Sequence, residues 1–218
     1  MPSIPPPASV ASPAKVSKRR WLIVAEDSKS SLLYFKGFPI DGTRLEVYPV
    51  GGAGDPQNVV QRAIDLRDHA LAHAAPYAEV WAIFDRDDWP LDRFQAAFSK
   101  ARSKGIRAIW TNEAFELWYV LHFVPRITAM GRAEYKPWLD QSFRLGKPYD
   151  KADPTIYSLL HGHQKEALKN ADRLLAEYEN SGQKEERRFP ERQNPSTNVQ
   201  KLVRELNEFL RPPLPVGE

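Results

Sequence analysis

"EVWAIFDRDDWPLDRF", residues 79–94, decides the fold. Its first half is an apolar, aromatic and β-branched run, Val80 to Phe84, that reads as a buried strand. From Pro90 onward the spacing is that of a helix, closed by Gly105. A strand that runs through a short charged turn into a helix is the unit of a parallel α/β sheet. The turn itself holds Asp85, Arg86, Asp87 and Asp88. Three carboxylates at one strand end repel one another and raise each other's pKa unless something neutralises them.

The alternation extends in both directions. Trp21–Ala25 reads as the first strand, "SSLLYFKGF" (30–38) as a helix and "RLEVYPV" (44–50) as the second strand. "GGAGDPQN" (51–58) leads into a helix that runs to about Ala75, with Asp55 as N-cap and Pro56 in the first helical position. "IRAIW" (106–110) reads as the fourth strand, and beyond residue 112 the pattern is helical to the end. The expected fold class is therefore α/β, a mostly parallel sheet of about four strands flanked by helices, with a helical C-terminal part. Residues 1–18, rich in Pro, Ser and Ala, read as a disordered leader. Residues 19–125 read as the α/β core and 126–211 as a helical extension packed on it.

Composition sets bounds on function. With 218 residues, 42% hydrophobic and 27% charged, the chain has the make-up of a globular protein. No run approaches the roughly 18 apolar residues of a membrane helix, and no secretory h-region is evident. The absence of cysteine excludes disulfides and thiolate metal sites and fits a cytoplasmic location. A net charge of +3 is compatible with a nucleic-acid partner without requiring one.

In an open α/β sheet the binding crevice lies at the C-terminal strand ends. Those ends carry Glu26 and Asp27, then Asp85 and Asp87, then Thr111, Asn112 and Glu113. In an extended segment Asp85 and Asp87 point the same way. A divalent cation with oxygen ligands resolves their repulsion, and Mg²⁺ commonly takes one or two carboxylates plus waters and phosphate oxygens. Asp88 reads more simply as a cap ahead of Trp89 and Pro90. In "NEAFELWYVLHFV" (112–124) Glu116 is set among apolar residues, so it is costly unless paired with a base or bound to metal. His122 reads as a hydrogen-bonded core histidine.

Taken together, "WLIVAEDSKSSLLYF" (21–35), "VWAIFDRDD" (80–88), "TNEAFELWYVLHF" (111–123) and "NPSTNVQKLVREL" (194–206) resemble the RloB-like family, part of the wider Toprim-related group. That resemblance implies a Toprim-like fold serving Mg²⁺-dependent phosphodiester chemistry, with Mn²⁺ as a substitute. It assigns Glu26, Asp85, Asp87 and Glu116 as metal-holding and catalytic residues. It further implies a nuclease acting on RNA, including tRNA, or on DNA. The partner would be a P-loop ATPase of the same anti-phage defence system, and a homo-oligomer is compatible with it. Two departures stand out. Asp27 occupies a position where the family pattern has Gly, and Ser31 one where it has a second Glu, which leaves the number of metals open. Glu113 stands where Pro is usual and is a candidate replacement for the lost carboxylate.

Hydrolysis of a phosphodiester needs an activated water and neutralised charge, both of which Mg²⁺ supplies. Glu26 is then a ligand or the general base. For the substrate backbone, the N–H groups of Gly52 and Gly54 precede a helix start that suits phosphate, although a plain connection explains the loop equally well. Asn112, Asn194 and Lys201 are further substrate candidates, while Thr197 and Gln200 have capping-box spacing. The run "QKEERRFPERQ" (183–193), with Arg187, Arg188 and Arg192, reads as a solvated loop, and Trp110, Trp118 and Trp138 as core. Two readings from other classes compete: a phospho-receiver built on Glu26, Asp27, Asp85, Thr111 and Lys147, and a non-catalytic regulatory subunit of an ATPase complex.

Overall fold

Four strands, the inner two buried along nearly their whole length, form the centre of the molecule. They are β1 (Arg19–Ala25), β2 (Leu45–Val50), β3 (Glu79–Asp85) and β4 (Arg107–Asn112), joined by α1 (Ser30–Lys36), α2 (Pro56–Ala72) and α3 (Leu91–Ser103). The computed structural model describes residues 18–141, 145–180 and 192–212. The leader and Arg187 and Arg188 lie outside the described residues. The strands pair in parallel in the order β2-β1-β3-β4. Side chains of a strand point alternately to its two faces, and both faces here are apolar. Leu22, Val24, Val80, Ala82 and Phe84 meet Val59, Val60 and Ala63 of α2 and Phe94, Ala97 and Ala101 of α3. Trp21, Ile23, Ala25, Trp81, Ile83 and Ile109 face the opposite layer. Continuous apolar strands are therefore explained by helices on both sides.

That second layer consists of α1 and the C-terminal helices α4 (Glu116–Leu121), α5 (Arg132–Asp140), α6 (Ile156–His161), α7 (Gln164–Asn180) and α8 (Val199–Asn207). Every residue of α4 is buried, as an all-round apolar pattern requires. Leu174, Leu202, Val203 and Leu206 join the same cluster as Trp21 and Ile23, so residues beyond 126 supply one face of the core. Arg107 on β4 fixes α8 by an ion pair to Glu205 (2.5 Å) while its guanidinium lies 3.7 Å from the Trp81 ring centroid.

The fold class is as expected, and three local expectations are corrected. The sheet has five strands, because β5 (Ser196–Thr197) pairs antiparallel with β4 at the edge. Asn198 extends that pairing with its side chain, accepting from the Trp110 N–H (2.8 Å) and donating to the Ala108 carbonyl (3.0 Å). Its side-chain amide mimics a backbone unit along an otherwise open edge. The Thr197–Gln200 capping box does not form. Thr197 accepts from the Val199 N–H (3.2 Å), Asn198 is the N-cap, and among the described residues the buried Gln200 Oε1 has no partner. Asp88 is not a cap either, since α3 starts from Pro90 without a side-chain cap. The N-terminus of α2 is as expected, with the Asp55 carboxylate accepting from Gln57 and Asn58 N–H groups.

Candidate functional site

With β1 between β2 and β3, the strand order reverses direction at the β1/β3 boundary, and the crevice outside these strand ends is where open α/β sheets bind ligands. Glu26 follows β1 and Asp85 ends β3, so the topology places both at that point. Their loops are laced together. Asp85 donates its backbone N–H to Glu26 Oε2 (2.9 Å), and Trp89 Nε1–H donates to Glu26 Oε1 (2.9 Å). Asp85 Oδ2 accepts from the Phe115 N–H at the start of α4 (3.2 Å). Three separate sequence segments thus converge on two carboxylates.

Asp85 is half-buried, open enough to be reached and deep enough to be desolvated. Burial pushes its carboxyl well above the ordinary range, and the charges of Glu26, Glu116 and Asp27 push it further the same way. Among the described residues no Lys, Arg or His forms an ion pair with it. Burial likewise raises the Glu26 carboxyl, against the two N–H donors that favour its anion.

Glu116 is buried, yet among the described residues no base pairs with it. Its Oε1 accepts instead from the Ser30 hydroxyl (2.8 Å) and the Tyr149 hydroxyl (2.7 Å). Burial raises the Tyr149 phenol first of all, with the Glu116 charge second, so the phenol keeps its proton and donates. Tyr119 in turn donates to the Ser30 carbonyl (2.9 Å), locking the start of α1 over α4.

The four predicted carboxylates do not stand as one set. β3 ends at Asp85, and Asp87 takes φ of 40°, in the left-handed region that Asp tolerates. The alternation that would align the two side chains stops there. Asp87 is ion-paired with Arg132 at the start of α5 instead. Among the described residues no group of three or more His, Cys, Asp or Glu side chains is arranged to hold a metal ion. The donor chemistry still suits a hard cation. Among the described residues Asp85 Oδ1 and Glu116 Oε2 accept no hydrogen bond, and Mg²⁺ needs only one or two carboxylates beside water and phosphate oxygens.

The substrate candidates fare differently. The Gly52 N–H donates to the Asp27 carbonyl (3.0 Å) and the Gly54 N–H to the Glu26 carbonyl (3.1 Å). These groups brace the Glu26 loop and are not open to phosphate, and the Asp55 cap puts negative charge at the same helix start. Asn112 is buried and donates to the Gln193 carbonyl (2.8 Å). Asn194 donates to Glu113 (3.2 Å), whose other oxygen accepts from the Arg132 N–H (3.1 Å). Glu113 therefore ties α5 to the residues before β5, and does not replace a site carboxylate. Lys201 is exposed on α8. His122 is a core residue as expected. Its Nδ1 lies 2.8 Å from the Trp118 carbonyl, and burial drives its pKa down to about 3.

The two departures from the family pattern meet in space: Ser31 Oγ donates to Asp27 Oδ1 (2.9 Å). Asp27 Oδ2 accepts from the Ser30 N–H (3.0 Å) and pairs with Lys151 (3.4 Å). Sequence reasoning passed over Arg132, Lys136, Tyr149 and Lys151, which reach the crevice from the C-terminal part. No periodicity marks them; only their charge and phenol chemistry could have raised them.

Fold and site together define a doubly wound α/β protein with carboxylates gathered at its topological switch point. Within that class the chain belongs to the RloB-like family, whose model, described as RloB-like protein, matches residues 21–206. Neither the comparison with curated proteins nor that with solved structures returned a match. Among the described residues no helix is long and apolar enough to cross a membrane.

Proposed function

We propose that the chain is a Toprim-type, Mg²⁺-dependent nuclease, the cytoplasmic effector of an ATPase-linked anti-phage defence system. The observation that carries this reading is the state of Asp85: half-buried, hydrogen-bonded by one backbone N–H, and surrounded by the charges of three other acids without a cation. Such an arrangement is destabilising in itself, and strained groups of this kind gather at functional sites. The defence context and the ATPase partner rest on the family resemblance.

Asp85 and Glu116 would hold the ion through their open oxygens. A bound divalent cation lowers the pKa of water and neutralises charge on the phosphate. Glu26 is held rigidly by Trp89 and the Asp85 N–H, and each of its oxygens keeps a second lone pair. Its raised pKa suits a group that takes a proton from water. Trp89 and Phe115 orient these acids without touching the reacting atoms.

The receiver alternative fits less well. Lys147 is held by Asp153 (2.7 Å) and Thr155 (3.2 Å), and the fifth strand is antiparallel. The test is cleavage of tRNA, other RNA and DNA by the chain co-expressed with its ATPase, with Mg²⁺ or Mn²⁺ against EDTA. Metal-dependent cuts that vanish in Glu26→Ala and Asp85→Ala but persist in Asp88→Ala support the nuclease. Unchanged activity in the first two variants contradicts it, and absence of cleavage under all conditions favours the regulatory subunit.

A further inference from the structure

Beside the carboxylates lies a cleft of about 560 Å³, within the range of ligand sites. Glu116 is at one wall, and Arg132, Tyr135, Lys136, Tyr149 and Lys151 line the rest together with Asp150. Arg132 and Lys136 are four residues apart on α5 and so share one helix face. Like charges at that spacing repel on an isolated helix, and Lys151 adds a third cation to the same space.

Each cation is held, but loosely. Arg132 pairs with Asp87, Lys136 with Asp140 (2.9 Å) and Lys151 with Asp27 (3.4 Å), at side-chain exposures of 50%, 61% and 34%. Ion pairs this open to water contribute little to stability, so exchanging a carboxylate for another anion costs little. Lys136 is also steadied by the Tyr149 carbonyl (3.0 Å). Asp150 is turned to its own backbone, its Oδ1 accepting from the Ala152 N–H (2.8 Å).

A second, independent feature points to a ligand. Tyr135 is 1% exposed and lines the cleft, and among the described residues its buried hydroxyl has no hydrogen-bond partner. Buried hydroxyls are nearly always paired. Burial raises this phenol, so it keeps its proton and is available as a donor.

We propose that this cleft is a phosphate subsite, gripped by Arg132, Lys136 and Lys151 with the Tyr135 hydroxyl as a fourth donor, for a phosphate flanking the bond to be cut. It rests on the nuclease reading for the source of that phosphate, and the same chemistry would take the phosphate of a free nucleotide. An arginine guanidinium binds phosphate through two parallel N–H bonds, which its pairing with a single carboxylate oxygen does not use fully. The helices beyond residue 126 thereby supply substrate grip, while the strand ends supply the reacting acids.

The test is equilibrium binding of a short fluorescent single-stranded oligonucleotide to the full chain in EDTA, across a salt series, with pyrophosphate as a parallel ligand. In wild type, binding weakens steeply with salt. Combined Lys136→Gln and Lys151→Gln is expected to lose about tenfold or more in affinity and to flatten the salt slope by about one to two charges. Lys136→Arg should retain affinity, and Lys169→Gln on the exposed face of α7 should bind as wild type. Tyr135→Phe separates structure from binding: thermal stability is unchanged or raised, whereas affinity falls several-fold. Binding by these cleft variants equal to wild type, with the same slope, overturns the proposal. Pyrophosphate binding that depends on the same residues without oligonucleotide binding upholds the subsite and removes the nucleic-acid strand. Failure of wild type to bind either ligand refutes the subsite.

Discussion

Replacing Asp85 with Asn isolates the electrostatics of the site from its activity. The change is isosteric: the amide oxygen can keep the Phe115 N–H bond, and the amide nitrogen faces acids that now repel a carboxylate. In the folded chain Asp85 titrates well above its ordinary value of 3.8, through burial first and then Glu26, Glu116 and Asp27. When the folded pKa is the higher one, the fold is favoured fully below the unfolded pKa and loses stability as pH rises toward the folded value. Each pH unit in that window costs metal-free wild type about 1.4 kcal/mol relative to the variant. Against a typical total of about 5–15 kcal/mol, a span of two units is readily measured. Urea denaturation in EDTA, followed upward from about pH 4, should show D85N gaining on wild type by roughly that slope until the pH passes the folded pKa of Asp85. Saturating Mg²⁺ should narrow the gap, because it stabilises only the form that binds it. Parallel profiles, or a variant less stable than wild type near neutral pH, would refute the reasoning.

His122 behaves oppositely. Its pKa falls from 6.5 to about 3 on burial, so its contribution is present above 6.5 and is lost as pH falls, and H122Q should lack that acid slope in the same denaturation series. Tyr149→Phe removes the 2.7 Å bond to Glu116 and is expected to cost about 1–2 kcal/mol in thermal unfolding. A Cβ at Gly51 would lie 2.4 Å from the Asp27 carbonyl oxygen and 2.7 Å from Leu32 Cδ2. G51A should therefore lose about 1–3 kcal/mol and disturb the Glu26 loop, while G42A, with open space around it, should unfold within about 0.5 kcal/mol of wild type.

Much of the fold was legible because each long strand has an apolar, β-branched or aromatic run and the helix after β2 carries a start signal in Asp55–Pro56. β5 was not, since two polar residues carry no periodicity and pair only because Asn198 and Thr197 find β4. At the site, position relative to strand ends anticipated the meeting of Glu26 with Asp85, and the apolar run around Glu116 its burial. The alignment of Asp87 with Asp85 failed because period-2 reasoning holds only inside a strand, and the strand ends at Asp85, two residues short of Asp87. The partners of Glu116 were invisible for another reason. Ser30 and Tyr149 lie 86 and 33 residues away, and a buried carboxylate satisfied by hydroxyls leaves no charge pattern to read. The glycines of "GGAG" misled because a loop that braces another loop and one that cradles phosphate have the same composition.

Electron paramagnetic titration of Mn²⁺ with wild type, D85N, E116Q and D88N addresses the central claim directly, since it asks whether the strand-end acids hold a divalent cation at all. Saturable binding by wild type and D88N that collapses in both D85N and E116Q is the expected result. Equal affinity in wild type and D85N, or none in either, would contradict it.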